Sequence, residues 1–362
     1  MNKREIVILL LALTLACGAN AATKKPLKPA KKAPIKIEAP KLTKSVLQEP
    51  IRLEPKRIVL EAPVEQIRIG GQIFFRWQKY LTSGGPANNF DVDRAYIDLK
   101  KNLDRNAMVR LTLDVARLDT TKLDTNKKSQ QLYDFLKYAY VELPVYPDSL
   151  TAKIGLQQTV WIDWMDKILG LRFIAKSLVD NEGVMPSADF GAGAAGKVGS
   201  LPLPDTEYQV TVLNGSGFKT TETDSQKNIA ARLNTTLCKS DSFGRVFAGV
   251  YGQIGSSSTK QAGATIAIKQ ERGAAYLEYL YGTGIAGYSL GGIYQFIPGW
   301  NFFARLDNYN PSRSVANDQI DRSFYGLIYD WGKDIKLAAD VQSTTSAGTT
   351  TSILYFHTLV NI

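Results

Sequence analysis

At 362 residues the chain could hold two or three soluble domains or one large closed sheet, and 44% hydrophobic residues with a mean hydropathy of -0.15 could supply either an apolar core or an apolar outer surface. No stretch approaches the ~18 apolar residues of a spanning helix, so any membrane crossing would be made by strands. The formal net charge of +10 is concentrated in the first 63 residues rather than spread over the chain, and no nucleic-acid partner is expected.

Residues 1–21 open with Lys3 and Arg4, continue in an apolar run from Ile6 to Ala16 and end in Ala19, Asn20 and Ala21, the pattern of a cleavable secretory signal peptide. Cys17 in this leader is a candidate lipidation site, although Thr14 stands where that motif normally has an aliphatic residue. Beyond the leader Cys238 is too little for a cysteine metal cluster, and neither a metal nor another cofactor is expected. Residues 22–65 repeat Lys, Pro and Ala, with eleven Lys/Arg against four Glu between 22 and 63, a composition that favours extended, solvated chain. It reads as a periplasmic linker, either a plain spacer or one that contacts anionic cell-wall polymer or lipid headgroups.

From residue 66 the pattern becomes alternating, the signal of strands with unlike faces. In 106–117, Ala107, Val109, Leu111, Leu113 and Val115 share one face, and Asn106, Arg110, Thr112 and Asp114 the other. Comparable segments lie at 67–81, 90–101, 134–144, 150–162, 187–198, 206–214, 227–238, 243–254, 261–270, 274–283, 286–297, 300–309, 320–331, 335–344 and 351–362, about sixteen in all. Strands of about 10 to 12 residues suit a tilted bilayer crossing, whereas soluble strands average about 5 to 6. The fold class expected is an all-β transmembrane antiparallel barrel over 66–362 with a water-filled lumen. Long connections, TSAGTT among them, alternate with short turns, which puts the long ones outside and both barrel termini on the periplasmic side. Trp77, Trp300, Trp331, Tyr325 and Tyr329 fit an interfacial girdle on the apolar face.

The opposite face carries Arg76, Arg94, Asp98, Arg110, Asp114, Lys153, Arg232, Arg245, Arg305 and Asp307, the candidate pore lining. Such a face cannot be a dry core, because unpaired buried charge costs several kcal/mol per ion. The third long connection, 163–186, is the longest and most apolar, and it carries Asp163, Asp166, Lys167, Arg172 and Lys176. It is expected to fold against the inner wall as the constriction, with an outer lid or a subunit contact as the other reading. The one histidine, His357, has no second base partner at a recognisable spacing, so no enzyme is expected.

The motifs DRAYIDLKKNL (93–103), KYAYVELP (137–144), KIGLQQTVW (153–161), SADFG (187–191) and NGSGF (214–218) occur in the order found in sixteen-stranded bacterial outer-membrane porins, and the chain resembles their phosphate-selective porin O and P family over about 65–362. The resemblance implies a homotrimer embedded in outer-membrane lipid, loop three folded inward and a basic interior that passes small anions or other small solutes. The family's phosphate-binding arginines and lysines do not carry over residue by residue, because Asp98, Asp114, Glu278, Asp307 and Asp340 are mixed among the bases. Ile362 stands where such barrels usually end in an aromatic. A structural tether, a non-conducting barrel joined to the cell wall by the linker, is the alternative function.

Overall fold

The computed structural model describes residues 66–82, 88–117, 132–199, 204–255 and 260–362; the signal peptide and linker expected within 1–65 lie outside the described residues. Sixteen strands among the described residues form one closed antiparallel barrel. They are β1 Arg68–Tyr80, β2 Asn89–Asn102, β3 Met108–Arg117, β4 Leu132–Tyr146, β5 Leu150–Gln158, β6 Ala188–Lys197, β7 Glu207–Leu213 and β8 Asn228–Ser240, followed by β9 Gly244–Ile254, β10 Lys260–Gln270, β11 Gly273–Gly282, β12 Ala286–Ile297, β13 Trp300–Asn310, β14 Ile320–Trp331, β15 Ile335–Ser346 and β16 Thr349–Asn361. Each strand pairs with its sequence neighbours, and β1 closes on β16 in the register Gln72↔Asn361 and Phe74↔Leu359. Closure leaves no edge strand to pair with another chain.

Alternation along the strands is inside out compared with a soluble sheet. In β13, Asn301, Phe303, Arg305, Asp307 and Tyr309 are buried, while Trp300, Phe302 and Leu306 are exposed. In β3, Thr112, Asp114 and Ala116 are buried and Leu111 is exposed. An apolar outer wall around a charged inner one is stable where lipid lies outside. Trp300 and Tyr329 pack in a tilted pair at 4.8 Å, and Trp77 lies between Phe90 and Phe356 at 6.4 and 5.4 Å. Leu306→Arg, at mid-strand on the outer face, is expected to lower folding stability in bilayers by about 2–4 kcal/mol. Denaturant titration read by gel mobility checks it.

Three boundaries differ from expectation. β5 stops at Gln158 rather than 162, because Trp161 and Ile162 leave the wall and become buried beneath the following loop. TSAGTT is not a long loop: β15 runs through Ser346, β16 starts at Thr349, and the two strands turn on Ala347 and Gly348 alone. Both turn residues have positive φ, 49° and 76°, the primed hairpin geometry that Gly supplies without strain. β4 carries a bulge opposite Thr112 and Leu113, so that Lys137 is extra to the alternation and buried together with Tyr138.

Candidate channel constriction

Loop three joins β5 to β6 and contains two helices, α1 Ile162–Leu169 and α2 Leu178–Asn181. In α1, Ile162, Met165 and Ile168 recur at helical spacing and are buried, while Lys167 and Asp163 pair on the other face at 2.5 Å. With Leu178, Val179 and Met185 they form an apolar cluster against Tyr251, Tyr276, Leu280 and Tyr309 of the inner wall. A second cluster joins Phe173 and Ile174 to Phe74, Phe303, Phe324 and Leu359. Trp164 lies over Gly249 of β9, where an added Cβ would come within 2.4 Å of the indole ring.

Polar groups tie the same loop to the wall. Arg232 donates to the Val160 carbonyl at 2.7 Å, Gln261 to Val184 at 3.0 Å, Arg305 to Lys176 at 2.5 Å and Gln342 to Ile174 at 3.3 Å. The Trp161 indole donates to Glu278 at 2.6 Å, and Arg322 pairs with Glu182. Backbone carbonyls drawn away from water need such donors. The ties run from β8 to β15 and hold the loop against that side of the barrel.

A cavity of about 830 Å³ remains on the other side. Asp163, Asp166, Lys167 and Arg172 line it from the loop, and Tyr96, Asp98, Lys100, Arg110, Lys137 and Tyr138 line it from β2 to β4. On the loop, Arg172 sits between Asp166 and Asp180, 2.8 Å from the latter. On the wall, Arg110 makes a two-pronged bond to Asp98 at 2.9 and 2.7 Å, and Lys100 approaches the same carboxylate at 3.3 Å. Arg94 and Lys137 share Asp114 at 2.7 and 3.7 Å, and Lys153 pairs with Glu142 at 2.8 Å. Tyrosine rings seat these cations: Arg110 on Tyr138, Lys137 on Tyr96 and Lys153 on Tyr140, at 4.6, 4.5 and 4.4 Å.

The loop carboxyls titrate apart. Burial together with Asp180 and Asp163 raises Asp166 above the usual carboxylate range despite Arg172. Burial also pushes Asp163 and Asp180 upward, but Lys167 outweighs it for Asp163 and Arg172 for Asp180, and both end below the usual range. Acidification therefore protonates Asp166 first and removes a negative charge from the cavity rim. Acidification should shift reversal potentials in a salt gradient toward anions, and Asp166→Asn should abolish most of that shift.

The ten wall residues read from the sequence divide by what stands in front of them. Asp98 and Arg110 line the cavity, Arg94 and Asp114 adjoin it through Lys137, and Lys153 is taken up by Glu142 outside its lining. Arg76 pairs with Asp93 at 3.0 Å and Asp91 at 3.9 Å. Arg232, Arg305 and Asp307 fasten or underlie the loop, and Arg245 bonds Thr236 at 2.7 Å near Asp205. His357 is buried 3.0 Å from Asp340 with Phe173 edge-on. Lys137, Tyr96 and Tyr138 escaped the sequence reading, as did Phe218 and Lys219 from the connection after β7. The motifs SADFG and NGSGF carried the signal for the last two. The Asp189 carboxylate accepts the Phe190 and Gly215 amides at 2.8 and 2.5 Å, which fixes Phe218 6.4 Å from Phe135 on the inner wall.

Comparison of the whole structure with solved ones decides the fold. The barrel has the fold seen in solved bacterial porins. It matches Pseudomonas putida OprB with a TM-score of 0.62 at 9% identity, covering 82% of this chain and 94% of that one. A mutant of the Rh. blastica porin matches at 0.57 and 11% identity, over 82% and 100% of the two chains. A loop-deletion mutant of OmpT, an outer membrane protein of Vibrio cholerae, matches at 0.54 and 11%, over 82% and 99%. No family model and no curated protein sequence matches the chain.

Proposed function

We propose that the protein is a passive aqueous channel of the bacterial outer membrane for small hydrophilic solutes and ions, with a mild preference for anions of phosphate-like size. The observation that carries this reading is the charge-lined cavity of about 830 Å³ left between loop three and the wall from β16 through β1 to β4, inside a barrel whose outer face is apolar. Side chains at such a narrowing set both radius and local potential, and weak binding at several points lets a solute enter and leave. Asp163, Asp166, Lys167 and Arg172 form the loop side of the constriction in this reading, while Lys176, expected with them, is not among the residues that line the cavity; Arg94, Asp98, Arg110 and Asp114, joined by Lys137, form the wall side. Bases slightly outnumber acids on the wall, and across 163–186 Asp163, Asp166, Asp180 and Glu182 stand against Lys167, Arg172 and Lys176, so the expected preference is modest. In this reading the long connections face outward, the linker lies in the periplasm and the barrels associate as trimers.

Stepwise currents from purified protein in a planar bilayer, with a reversal potential weakly on the anion side, are the expected result. A folded, inserted barrel that passes no current would sink the channel reading and leave the tether. Strong cation selectivity would sink the anion preference alone.

A further inference from the structure

Three aromatic rings and two ammoniums meet on the inner wall of β2 to β4. Tyr96, Asp114 and Phe135 stand in one row across these strands, paired directly in the register of the sheet. Phe218, on the connection after β7 that the Asp189 tether holds, meets the Phe135 ring edge-on at 6.4 Å. The Lys137 ammonium lies 4.5 Å from the Tyr96 ring and 5.9 Å from Phe218, and that of Lys219 lies 4.4 Å from Phe135 and 5.5 Å from Phe218. Phe135 and Phe218 are half-buried and Lys219 is exposed, so a solute can touch rings and charge together. The neighbouring guanidiniums are already taken: Arg94 binds Asp114 at 2.7 Å, Arg110 holds both oxygens of Asp98, and Arg172 sits between Asp166 and Asp180. Lys137 reaches Asp114 only at 3.7 Å and donates to the Tyr96 hydroxyl at 3.2 Å, and no carboxylate among the described residues comes within ion-pair distance of Lys219.

We infer that Phe135 and Phe218, with the ammoniums of Lys137 and Lys219, form a subsite of the lumen for aryl carboxylates. The inference rests on the channel reading, which makes the lumen a path for solutes. An aromatic ring attracts a cation without neutralising it, so both ammoniums can take an anion while staying on their rings. A carboxylate carried on a benzene ring divides as the subsite does. Its oxygens accept charge-assisted hydrogen bonds from the ammoniums, and its ring packs edge-to-face or offset on the two phenyl groups. Acetate and phosphate find the charges but have no ring to set against the phenyl surface, and the forked guanidiniums that suit phosphate are bound to aspartates. An aryl carboxylate held weakly here is passed on in turn, and obstructs other ions while it is bound.

The test is the potassium chloride current of the full chain in planar bilayers, titrated with sodium benzoate, acetate or phosphate, for the parent, Phe218→Ala and Lys219→Met. In the parent, benzoate should half-block the current at about a tenth of the acetate or phosphate concentration, because ring contact adds to charge contact. Phe218→Ala should bring the benzoate half-block most of the way to that of acetate, and Lys219→Met should weaken benzoate and acetate together. Saturation-transfer NMR of benzoate with detergent-solubilised protein reads binding without any current. Its ring protons should receive saturation from the parent and several-fold less from Phe218→Ala. Benzoate and acetate blocking alike in the parent overturns the inference, as does phosphate blocking at the lowest concentration, which would mark an inorganic-anion site. A Phe218→Ala channel that keeps the preference for benzoate overturns it too. If none of the three proteins conducts, the channel reading falls, and saturation transfer decides the subsite alone: a loss in Phe218→Ala upholds it and equal transfer overturns it.

Discussion

Excising loop three between Asp163 and Gly183 is expected to raise single-channel conductance several-fold and to weaken ion preference, the largest functional change any single edit of this chain should produce. The loop packs into the lumen from β8 round to β16 and β1 through two apolar clusters, so its removal opens the barrel to nearly its full bore. A sixteen-strand wall encloses an aqueous channel when nothing plugs it, and conductance follows the narrowest cross-section. The barrel should survive, because its closure depends on strand pairing and the exposed Glu278, Arg305 and Gln342 would be hydrated. Trimming 311–319, which connects β13 to β14 and bonds through Arg313 to Tyr281 and Gly282 at the end of β11, should leave conductance and preference alone. An excised protein that inserts normally and conducts like the parent would show that the narrowing lies elsewhere.

Arg305→Leu should have the largest effect of any single substitution on how firmly the loop is held. The guanidinium is bound to Asp307 at 2.8 and 2.5 Å and to the Lys176 carbonyl, with side-chain exposures of 7% and 0% for the ion pair. Asp307 is also the acceptor for Ser289, whose hydroxyl meets Tyr276 at 2.8 Å, so the pair anchors a chain of buried polar groups. Removing one ion of a buried pair costs about 3–5 kcal/mol because the other is left uncompensated. The expected readout is a loop cut by added protease while the barrel keeps its gel mobility, and a flickering single-channel record. Arg305→Leu combined with Asp307→Leu should recover much of the loss, since replacing both ions with apolar groups is often neutral. If the double variant is as loose as the single, the Lys176 carbonyl bond rather than the stranded carboxylate is the dominant loss.

Strand number, closure and the inward folding of loop three were legible because each rests on a periodic or compositional signal. The two-residue period separates an apolar outer wall from a charged inner one, and a connection as apolar as 163–186 has to bury itself somewhere. What alternation cannot convey is depth. It gives Arg110 and Arg305 the same inward direction, yet Arg110 faces the cavity and Arg305 lies beneath the loop, a distinction made by residues about 130 positions away. Bulges hide from it too: Lys137 was passed over because one extra residue in β4 breaks the strict period at the wall of the cavity. Phe218 and Lys219 belong to a connection whose placement depends on the Asp189 tether, a contact between motifs that the sequence shows only as separate words.

Apart from the β1–β16 pair, neighbouring strands are joined by connections that follow directly in sequence, but Gln72 and Asn361 meet across 289 residues. Relative to a tight turn, closing a loop of that length costs roughly 4 kcal/mol more in chain entropy. Until it forms, the growing sheet has two raw edges whose amides invite foreign strands. The seam is therefore expected to be the slow step of assembly, and the place where the wall first unzips under load.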